Sequence, residues 1–385
     1  MILSHDDADG ISSAILAMRL HNQDKVTFSR LIYSIPEADY ESPLILTDIG
    51  SNLRDAKKIA DLLRRDFTIF HYDHHSRIDR TVFDKLEAEK KYNSLINEGA
   101  PSTSSILLES LLSSKHTTSD IFWGVVGEIG DLAHIRGNED FYKHFSMLPH
   151  EYRTVELSDW GLSNLGSHLR IYDTAVGKVV RFLKDIRDAG SDVEWELVHK
   201  IIENREDIPA VLEIVDRYFE RVSMNAYLLR KKVDDMLFDA GEVGKRLREG
   251  AKFKALLLPP LPSEPRILLV TFDIEPTYRS PIADIIASRI AIRRPELTIV
   301  SINMHPMKLD GKEIVLGSVR CPNPEKYPSA ISIVKIVGSI SSLGIYGGHI
   351  EAGGFSIERE KVPSLVKSLA GLPGHRVKEE IVEEV

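Results

Sequence analysis

The chain has 385 residues, of which 43% are apolar and 28% are charged, a composition typical of a folded globular protein with two or three domains. The net charge of −9 argues against a protein that coats nucleic acid, because neutralising phosphates requires clustered lysine and arginine. The single cysteine, Cys321, excludes an internal disulfide framework and a cysteine-rich zinc module. Without a signal-peptide pattern or an apolar run of ~20 residues, we expect a cytoplasmic protein without a membrane span.

Short apolar runs alternate with amphipathic stretches over the first 135 residues. The predicted strands are 1–4, 30–35, 44–47 and 67–72, and the predicted helices are 10–20, 52–63, 102–113 and 119–132. Strands and helices in alternation predict an α/β fold with a doubly wound parallel sheet and helices on both faces.

The predicted secondary structure changes twice in the rest of the chain, first to helices and then to strands with a helix. Helical spacing of apolar residues marks the segments 171–186, 195–203, 208–222 and 227–236. Four prolines lie between 259 and 265. Strands are predicted at 255–258, just before them, and at 267–271, 297–303 and 313–319 after them, with a helix at 281–293. We therefore predict a domain at 1–150, a helical middle region at 151–250, a smaller α/β domain at 251–372 and a charged tail at 373–385, with a cleft between the two α/β domains.

Four segments of the first 135 residues combine aspartate, histidine and glycine. They are His5-Asp6-Asp7-Ala8-Asp9-Gly10, Thr47-Asp48-Ile49-Gly50, Tyr72-Asp73-His74-His75 and Gly127-Glu128-Ile129-Gly130-Asp131. Three of them lie at the ends of predicted parallel strands, where open α/β sheets bind ligands. Taken singly, each motif is more often a turn, a surface histidine or a helix end. Together they favour a metal site for Mn²⁺, Mg²⁺ or Zn²⁺, with enough ligands for the two ions of a phosphoryl-transfer centre.

A glycine-rich segment near the C-terminus carries a second group of candidates. Its glycines are Gly347, Gly348, Gly353 and Gly354. Glycine lets the backbone approach a phosphate and donate N–H groups to it. His349 could hydrogen-bond a phosphate oxygen, and Arg320 could bind one with both arms of its guanidinium. The alternative is a tight structural turn with a buried histidine.

The combined motifs resemble those of the DHH phosphoesterase superfamily, named for the Asp-His-His that appears here as Asp73-His74-His75. The stretch 347–355 resembles the Gly-Gly-His-x-x-Ala-Gly-Gly-Phe signature of the DHH-associated domain, and Val319-Arg320 resembles the strand arginine before it. The resemblance covers roughly residues 1–135 and 250–372. It implies a nuclease or oligonucleotide hydrolase rather than a pyrophosphatase.

The resemblance also implies a role for each aspartate in the first three segments. Asp7 would bind one metal ion and Asp9 the other. Asp48 would bridge the two ions and so act directly in catalysis. Asp73 would orient its neighbours from outside the ligand shell. Mn²⁺ is the expected ion, with Mg²⁺ as the second candidate.

The histidines and the last aspartate complete this implied centre. His74 and Asp131 would be ligands of the second ion. His5 would be an additional ligand of the first ion, although in some relatives the corresponding histidine lies farther ahead of the first aspartate. His75 would lie beside the reacting phosphate and stabilise it.

The resemblance implies a single-strand-specific exonuclease that releases mononucleotides from DNA or RNA by two-metal hydrolysis. The alternative is an enzyme similar to nano-RNases or cyclic-dinucleotide phosphodiesterases, acting on very short substrates. A non-catalytic replication scaffold is disfavoured because all the acidic and histidine ligands are present. The implied partners are single-stranded DNA or RNA, oligonucleotides and a replication or repair protein. Cleavage polarity and the choice between DNA and RNA stay open.

Overall fold

The computed structural model describes residues 1–29, 35–36, 38–75, 80–134, 137–153, 171–238, 254–257, 267–274 and 282–372. The chain forms two compact units, Met1–Ser51 with Asp55–Ala226, and Asn52–Arg54 with Tyr227–Val385. The segments predicted as a helical middle region lie mainly in the first unit. The predicted domain limits and the predicted cleft stay predictions.

Strands and helices alternate through the first part of the chain. The elements are β1 Ile2–His5, α1 Ala8–His21, β2 Val26–Ser29, β3 Leu44–Thr47, α2 Leu53–Arg64, β4 Ile69–Asp73, α3 Arg80–Glu87, β5 Tyr92–Ile96, α4 Thr103–Leu112, α5 Thr118–Gly130, α6 Glu139–Met147, α7 His150–Arg153, α8 Ala175–Ala189, α9 Asp192–Glu203 and α10 Ile208–Phe238. The boundary between the two units lies within α10.

The first sheet has five parallel strands in the order β2-β1-β3-β4-β5. Chain order reverses between β1 and β3, and open α/β sheets bind ligands at such a switch point. The register pairs Ser4 with Thr47 and Thr47 with Tyr72, so β1, β3 and β4 end side by side. The predicted doubly wound parallel sheet is confirmed.

Both faces of this sheet are buried. On one face Ile2 and Ile45 pack into a core with α1, α4, α5 and α8. On the other face Leu3 and Leu46 pack with α2 and α3, where Phe83 is fully buried. A strand with apolar residues on both faces is held in one register, since a slip of one residue would exchange the faces.

The second unit contains a mixed sheet. Its elements are β6 Lys254–Leu257, β7 Ile267–Phe272, α11 Ile282–Arg293, β8 Thr298–Leu309, β9 Lys312–Arg320, α12 Ala330–Ile340, β10 Tyr346–Gly348, β11 Ala352–Glu358 and α13 Val362–Ala370. The six strands run in the order β10-β11-β9-β8-β7-β6, and β7–β8 is the parallel pair. This is the second α/β unit that the sequence predicts.

Several predicted elements differ from the observed ones. The predicted strand at 30–35 lies almost entirely outside the described residues, and the edge strands β2 and β5 were not predicted. The helices predicted at 208–222 and 227–236 form one helix, α10, because neither glycine nor proline separates them. The glycine-rich segment is a β-hairpin, with Gly347 opposite Gly354 and Gly348 opposite Gly353. Pro281, the first residue of the helix predicted at 281–293, and the tail 373–385 lie outside the described residues.

Within the described ranges, every helix is too short or too polar to cross a membrane.

Candidate metal centre

The first side chains of the centre come from the connection between β1 and α1. His5 ends the strand, and Asp7 is the N-cap of the helix, accepting a hydrogen bond from the backbone N–H of Gly10 at 2.9 Å. His5 Nδ1 lies 2.8 Å from Asp7 Oδ2. Asp9, in the first turn of α1, is fully buried. One strand-to-helix connection therefore supplies an imidazole and two carboxylates.

Asp48 lies at the middle of the arrangement. Its backbone is left-handed, with φ of +57°, and its N–H donates to the carbonyl of Tyr72 at 3.0 Å. One carboxylate oxygen lies 3.7 Å from His5 Nδ1. The other lies 3.6 Å from His74 Nε2 and 3.5 Å from His75 Nδ1. Asp48 therefore faces the side chains that follow both β1 and β4.

Three sets of side chains in the first unit bring metal-ligating atoms within 4.8 Å of one another. They are His5 with Asp7 and Asp48, Asp9 with Asp48 and His74, and Asp48 with Asp73 and His75. Asp48 belongs to all three. Oxygen and imidazole donors without sulfur suit Mn²⁺, Mg²⁺ or Zn²⁺, so the donor set fits the metal that the sequence predicts.

The N-terminus of α4 holds Asp9 in place. The backbone N–H groups of Thr103 and Ser104 donate to its two oxygens at 2.7 and 3.0 Å. Helix N-termini stabilise anions in this way. The Thr103 hydroxyl also donates to Asp48 at 3.0 Å. Thr103 and Ser104 were missed by the sequence analysis, although the predicted helix starting at Ser102, right before them, was a usable signal.

His74 joins Asp131 to the centre. Its Nε2 lies 2.8 Å from Asp131 Oδ2 and 3.7 Å from Asp9 Oδ2. Asp131 is the C-cap of α5, so the fourth predicted motif reaches the other three through the end of that helix.

Asp73, although it belongs to the set with Asp48 and His75, is also hydrogen-bonded to its neighbours. It accepts hydrogen bonds from the backbone N–H of His75 at 3.1 Å, from His75 Nδ1 at 2.8 Å and from the hydroxyl of Ser51. These bonds fix the orientation of the His75 ring.

Burial and mutual repulsion shift the ionisation of the carboxylates. Burial, followed by the charges of Asp9 and Asp7, raises the pKa of Asp48 well above its usual value. Burial and the charge of Asp131 raise the pKa of Asp9 to about 6. A divalent cation would relieve both effects, because it stabilises the charged forms.

The pKa values of other groups of the centre are shifted by their ion-pair partners. Burial alone would lower the pKa of His74, but Asp131 outweighs it and raises that pKa to about 9. Burial would raise the pKa of Asp7 and Asp73. For Asp7 it is outweighed by His5 together with Arg187 and the Gly10 N–H, and for Asp73 by His75 together with His71, so that both pKa values are lowered. Binding of a cation to this cluster would therefore release protons and change the charges of its side chains.

The C-terminal candidates lie in the second unit. The Arg320 guanidinium pairs with Asp284 and donates to the Ser288 hydroxyl at 3.0 Å. A phosphate would therefore have to compete with Asp284 for it. His349 lies in the tip of the β10–β11 hairpin, where its N–H donates to the carbonyl of Ala352 at 2.7 Å.

Gly347 and Gly348 differ in whether the hairpin sterically requires glycine at their position. Gly348 has φ of +139°, and a Cβ there would lie 2.3 Å from the carbonyl oxygen of Ala352, so the hairpin itself requires glycine. At Gly347, by contrast, a Cβ would meet no described atom within 4 Å. Packing among the described residues thus explains Gly348 but not Gly347.

Comparisons with known proteins agree with this fold. Residues 1–123 match the model of the DHH family, N-terminal domain. A solved structure described as the DHH domain of a member of the S1p family of ribosomal proteins is 13% identical, with a TM-score of 0.58, over 96% of this chain and 86% of that chain. A search by sequence among curated proteins finds no match.

Two further solved structures are more distant. The pGpG-specific phosphodiesterase PggH of Vibrio cholerae is 14% identical, with a TM-score of 0.38, over 96% of each chain. CDC45 of Entamoeba histolytica is 9% identical, with a TM-score of 0.46, over 96% of this chain and 94% of that one. TM-scores below 0.5 carry no argument about this chain. The DHH-associated domain predicted for the C-terminal part stays a prediction.

Proposed function

We propose that the chain is a metal-dependent exonuclease, on the premise that residues 1–123 match the model of the DHH family, N-terminal domain. Members of the family are phosphoesterase hydrolases. The proposed substrate is single-stranded DNA or RNA, and the proposed products are mononucleotides. The observation that carries the proposal is the position of Asp48, whose carboxylate belongs to three sets of metal-ligating atoms.

We propose two groups of ligands that share Asp48. His5 and Asp7 lie on one side of it, and Asp9 and His74 lie on the other. Asp131, bonded to His74, would complete the second group. Mn²⁺ is the proposed ion. When bound, such ions lower the pKa of water and stabilise the charge that develops on the attacking and leaving oxygens.

His75 would contact the reacting phosphate. Because Asp73 holds its Nδ1 at 2.8 Å, the ring keeps one orientation and presents Nε2 to the substrate. A doubly protonated ring can donate a hydrogen bond from Nε2 to a phosphate oxygen.

The second unit would hold the nucleotide. Among the described residues, no atom lies close to a Cβ built at Gly347, which supports the approach of a phosphate there. That phosphate would be bound by His349 and by the N–H groups of the four hairpin glycines, Gly347, Gly348, Gly353 and Gly354. The Arg320 guanidinium would release Asp284 and bind the phosphate instead.

Exposed side chains of α10 support a longer strand as the substrate. Arg221 lies 5.0 Å from the ring centroid of Tyr218, and Met224, Tyr227 and Leu228 are each more than half exposed. Unpaired bases stack on exposed aromatic and arginine side chains. A substrate of two or three nucleotides would not need this additional surface.

The test is Mn²⁺-dependent hydrolysis of end-labelled single strands of DNA and RNA, from about 3 to about 30 nucleotides. We expect stepwise release of mononucleotides from the long strands, and its loss in Asp48→Asn. The matched control is Asp185→Asn, since Asp185 is also a buried aspartate with a serine partner, Ser223, but lies outside the centre. It should retain activity.

The length dependence decides between the candidate substrates. Activity confined to the shortest strands would replace the exonuclease with an oligonucleotide or cyclic-dinucleotide hydrolase. Equal activity of wild type and Asp48→Asn would refute catalysis at this centre. Absence of hydrolysis at every length would favour a scaffold for replication proteins.

A further inference from the structure

His71 is a fully buried side chain that contacts the turn after β3. It lies on β4, on the face of the sheet that carries Phe83. Its Nε2 lies 2.8 Å from the carbonyl oxygen of Ile49, and its Nδ1 lies 2.6 Å from the hydroxyl of Tyr92. It belongs to none of the three metal-ligating sets of the first unit.

In a neutral ring the two partners determine the tautomer, and the Asp73 carboxylate, 3.7 Å from Nε2, favours a proton on the same nitrogen. A carbonyl oxygen only accepts hydrogen bonds, so Nε2 carries the proton and donates to Ile49. Nδ1 is then the acceptor, and the Tyr92 hydroxyl donates to it. A chain of two hydrogen bonds therefore runs from Tyr92 at the start of β5, through His71, to the turn that carries Asp48.

The backbone of this turn adopts unusual φ angles, which contacts from neighbouring side chains must stabilise. Asp48 has φ of +57° and Gly50 has φ of +106°, so Ile49 lies between two residues in the left-handed half of conformational space. A Cβ at Gly50 would lie 3.1 Å from His71 Nε2, which shows how closely the ring packs against the turn. Ile49 is only 1% exposed, so water does not replace the ring as a donor to its carbonyl.

We infer that His71 is a positioning residue of the metal centre: by donating to the Ile49 carbonyl, it fixes the turn that holds the Asp48 carboxylate between His5 and His74. The inference rests on the proposed function, because that proposal makes Asp48 a metal ligand. Residues that orient ligands from outside the shell commonly change metal affinity about 10–100-fold when replaced.

The test compares His71→Met, which removes the donor, with His71→Gln, whose side-chain amide can still donate to the carbonyl. Isothermal titration calorimetry with Mn²⁺ should show about 10–100-fold weaker binding for His71→Met and recovery of most of that loss in His71→Gln. Tyr92→Phe should weaken binding less, because Ile49 still selects the donating nitrogen.

The matched control is His21→Met. His21 also bonds a tyrosine of the same sheet, with Nε2 2.9 Å from the Tyr72 hydroxyl, but it lies on α1 and does not touch the turn. It should keep Mn²⁺ affinity within about twofold of wild type, well below the 10–100-fold effect of a residue that orients a ligand. Equal Mn²⁺ affinities of His71→Met and His21→Met would overturn the inference.

Asp48→Asn separates this inference from the proposed function. If Asp48→Asn binds Mn²⁺ like wild type, the metal centre itself is refuted. If Asp48→Asn loses Mn²⁺ and His71→Met does not, only the role of His71 is refuted. Should His71→Met fail to fold, ¹⁵N NMR of histidine-labelled wild type and His71→Gln decides, since a His71 ring protonated at Nδ1 alone contradicts the assigned hydrogen bonds.

Discussion

Asp48 combines a backbone conformation that few residue types adopt with a charge that the centre requires. Aspartate and asparagine enter the left-handed region more readily than other non-glycine residues. At φ of +57°, alanine would strain the turn as well as remove the carboxylate. Asp48→Asn keeps the backbone preference and removes only the charge, so its effect on metal binding can be attributed to the carboxylate.

The pH dependence of Mn²⁺ binding follows from Asp9 and His74. Both must lose a proton to act as ligands, and their pKa values are about 6 and about 9. Affinity should therefore rise with pH throughout this range, and more steeply below about pH 6, where Asp9 also holds a proton. Calorimetry between about pH 5 and 9 measures this.

Asp9→Asn is the control for that dependence. It should bind Mn²⁺ more weakly and show a shallower slope below about pH 6, because one titrating group is gone. Affinity that is independent of pH in the wild type would contradict the assignment of Asp9 and His74 as ligands.

Among the elements, the N-terminus of α4 bonds two carboxylates of the centre. Its two amides hold Asp9, and the Thr103 hydroxyl holds Asp48. Thr103→Val keeps the shape of the side chain and removes the hydroxyl. We expect about tenfold weaker Mn²⁺ binding, with recovery in Thr103→Ser, as measured by calorimetry. Unchanged affinity in Thr103→Val would show that this bond does not position Asp48.

In the second unit, the last residue of β11 closes a turn through its carboxylate. Glu358 accepts bonds from the Ser341 hydroxyl at 2.8 Å and from the Ser342 N–H at 3.1 Å. Burial would raise its pKa, but the bonds from Ser342 and Ser341 outweigh burial and lower it to about 2. The folded state thus binds this proton less readily than the unfolded chain, whose glutamate has an ordinary pKa of 4.5.

Glu358→Gln should therefore destabilise the protein near neutral pH, by about 1.5–3 kcal/mol if a charged acceptor is lost. The stabilisation by Glu358 is present above about pH 4.5 and disappears as the pH falls toward 2. Denaturant unfolding at several pH values should show the difference between wild type and variant narrowing in acid. Glu360→Gln, at an exposed neighbour, should change little. A difference between wild type and Glu358→Gln that is as large near about pH 2 as near about pH 7 would contradict the shift.

At the scale of the whole molecule, the sequence predicted the parts that depend on local pattern. Strand–helix alternation predicted the first sheet, and the four motifs marked side chains that the structure brings together: His5, Asp7, Asp9, Asp48, Asp73, His74, His75 and Asp131. The edge strands β2 and β5 were missed because each is short and has one buried residue, Ser29 and Tyr92 respectively, so that the apolar signal is weak.

Contacts between residues far apart in the sequence could not be predicted, for a different reason. Thr103 and Ser104 act through backbone N–H groups, which any residue except proline carries. His71 acts through the carbonyl of Ile49, in the turn after the neighbouring strand β3, and strand order is not encoded in local periodicity. The ion pair between Arg320 and Asp284 likewise joins a strand to a helix far apart in sequence.

The most direct test of the metal centre is anomalous diffraction at the manganese edge, from crystals of the full chain grown with MnCl₂. Two peaks are predicted, one within coordination distance of His5, Asp7 and Asp48, and the other within that distance of Asp9, Asp48 and His74. Both peaks should disappear or weaken in Asp48→Asn. Manganese bound only away from Asp48, or peaks unchanged in that variant, would contradict a centre shared through this carboxylate.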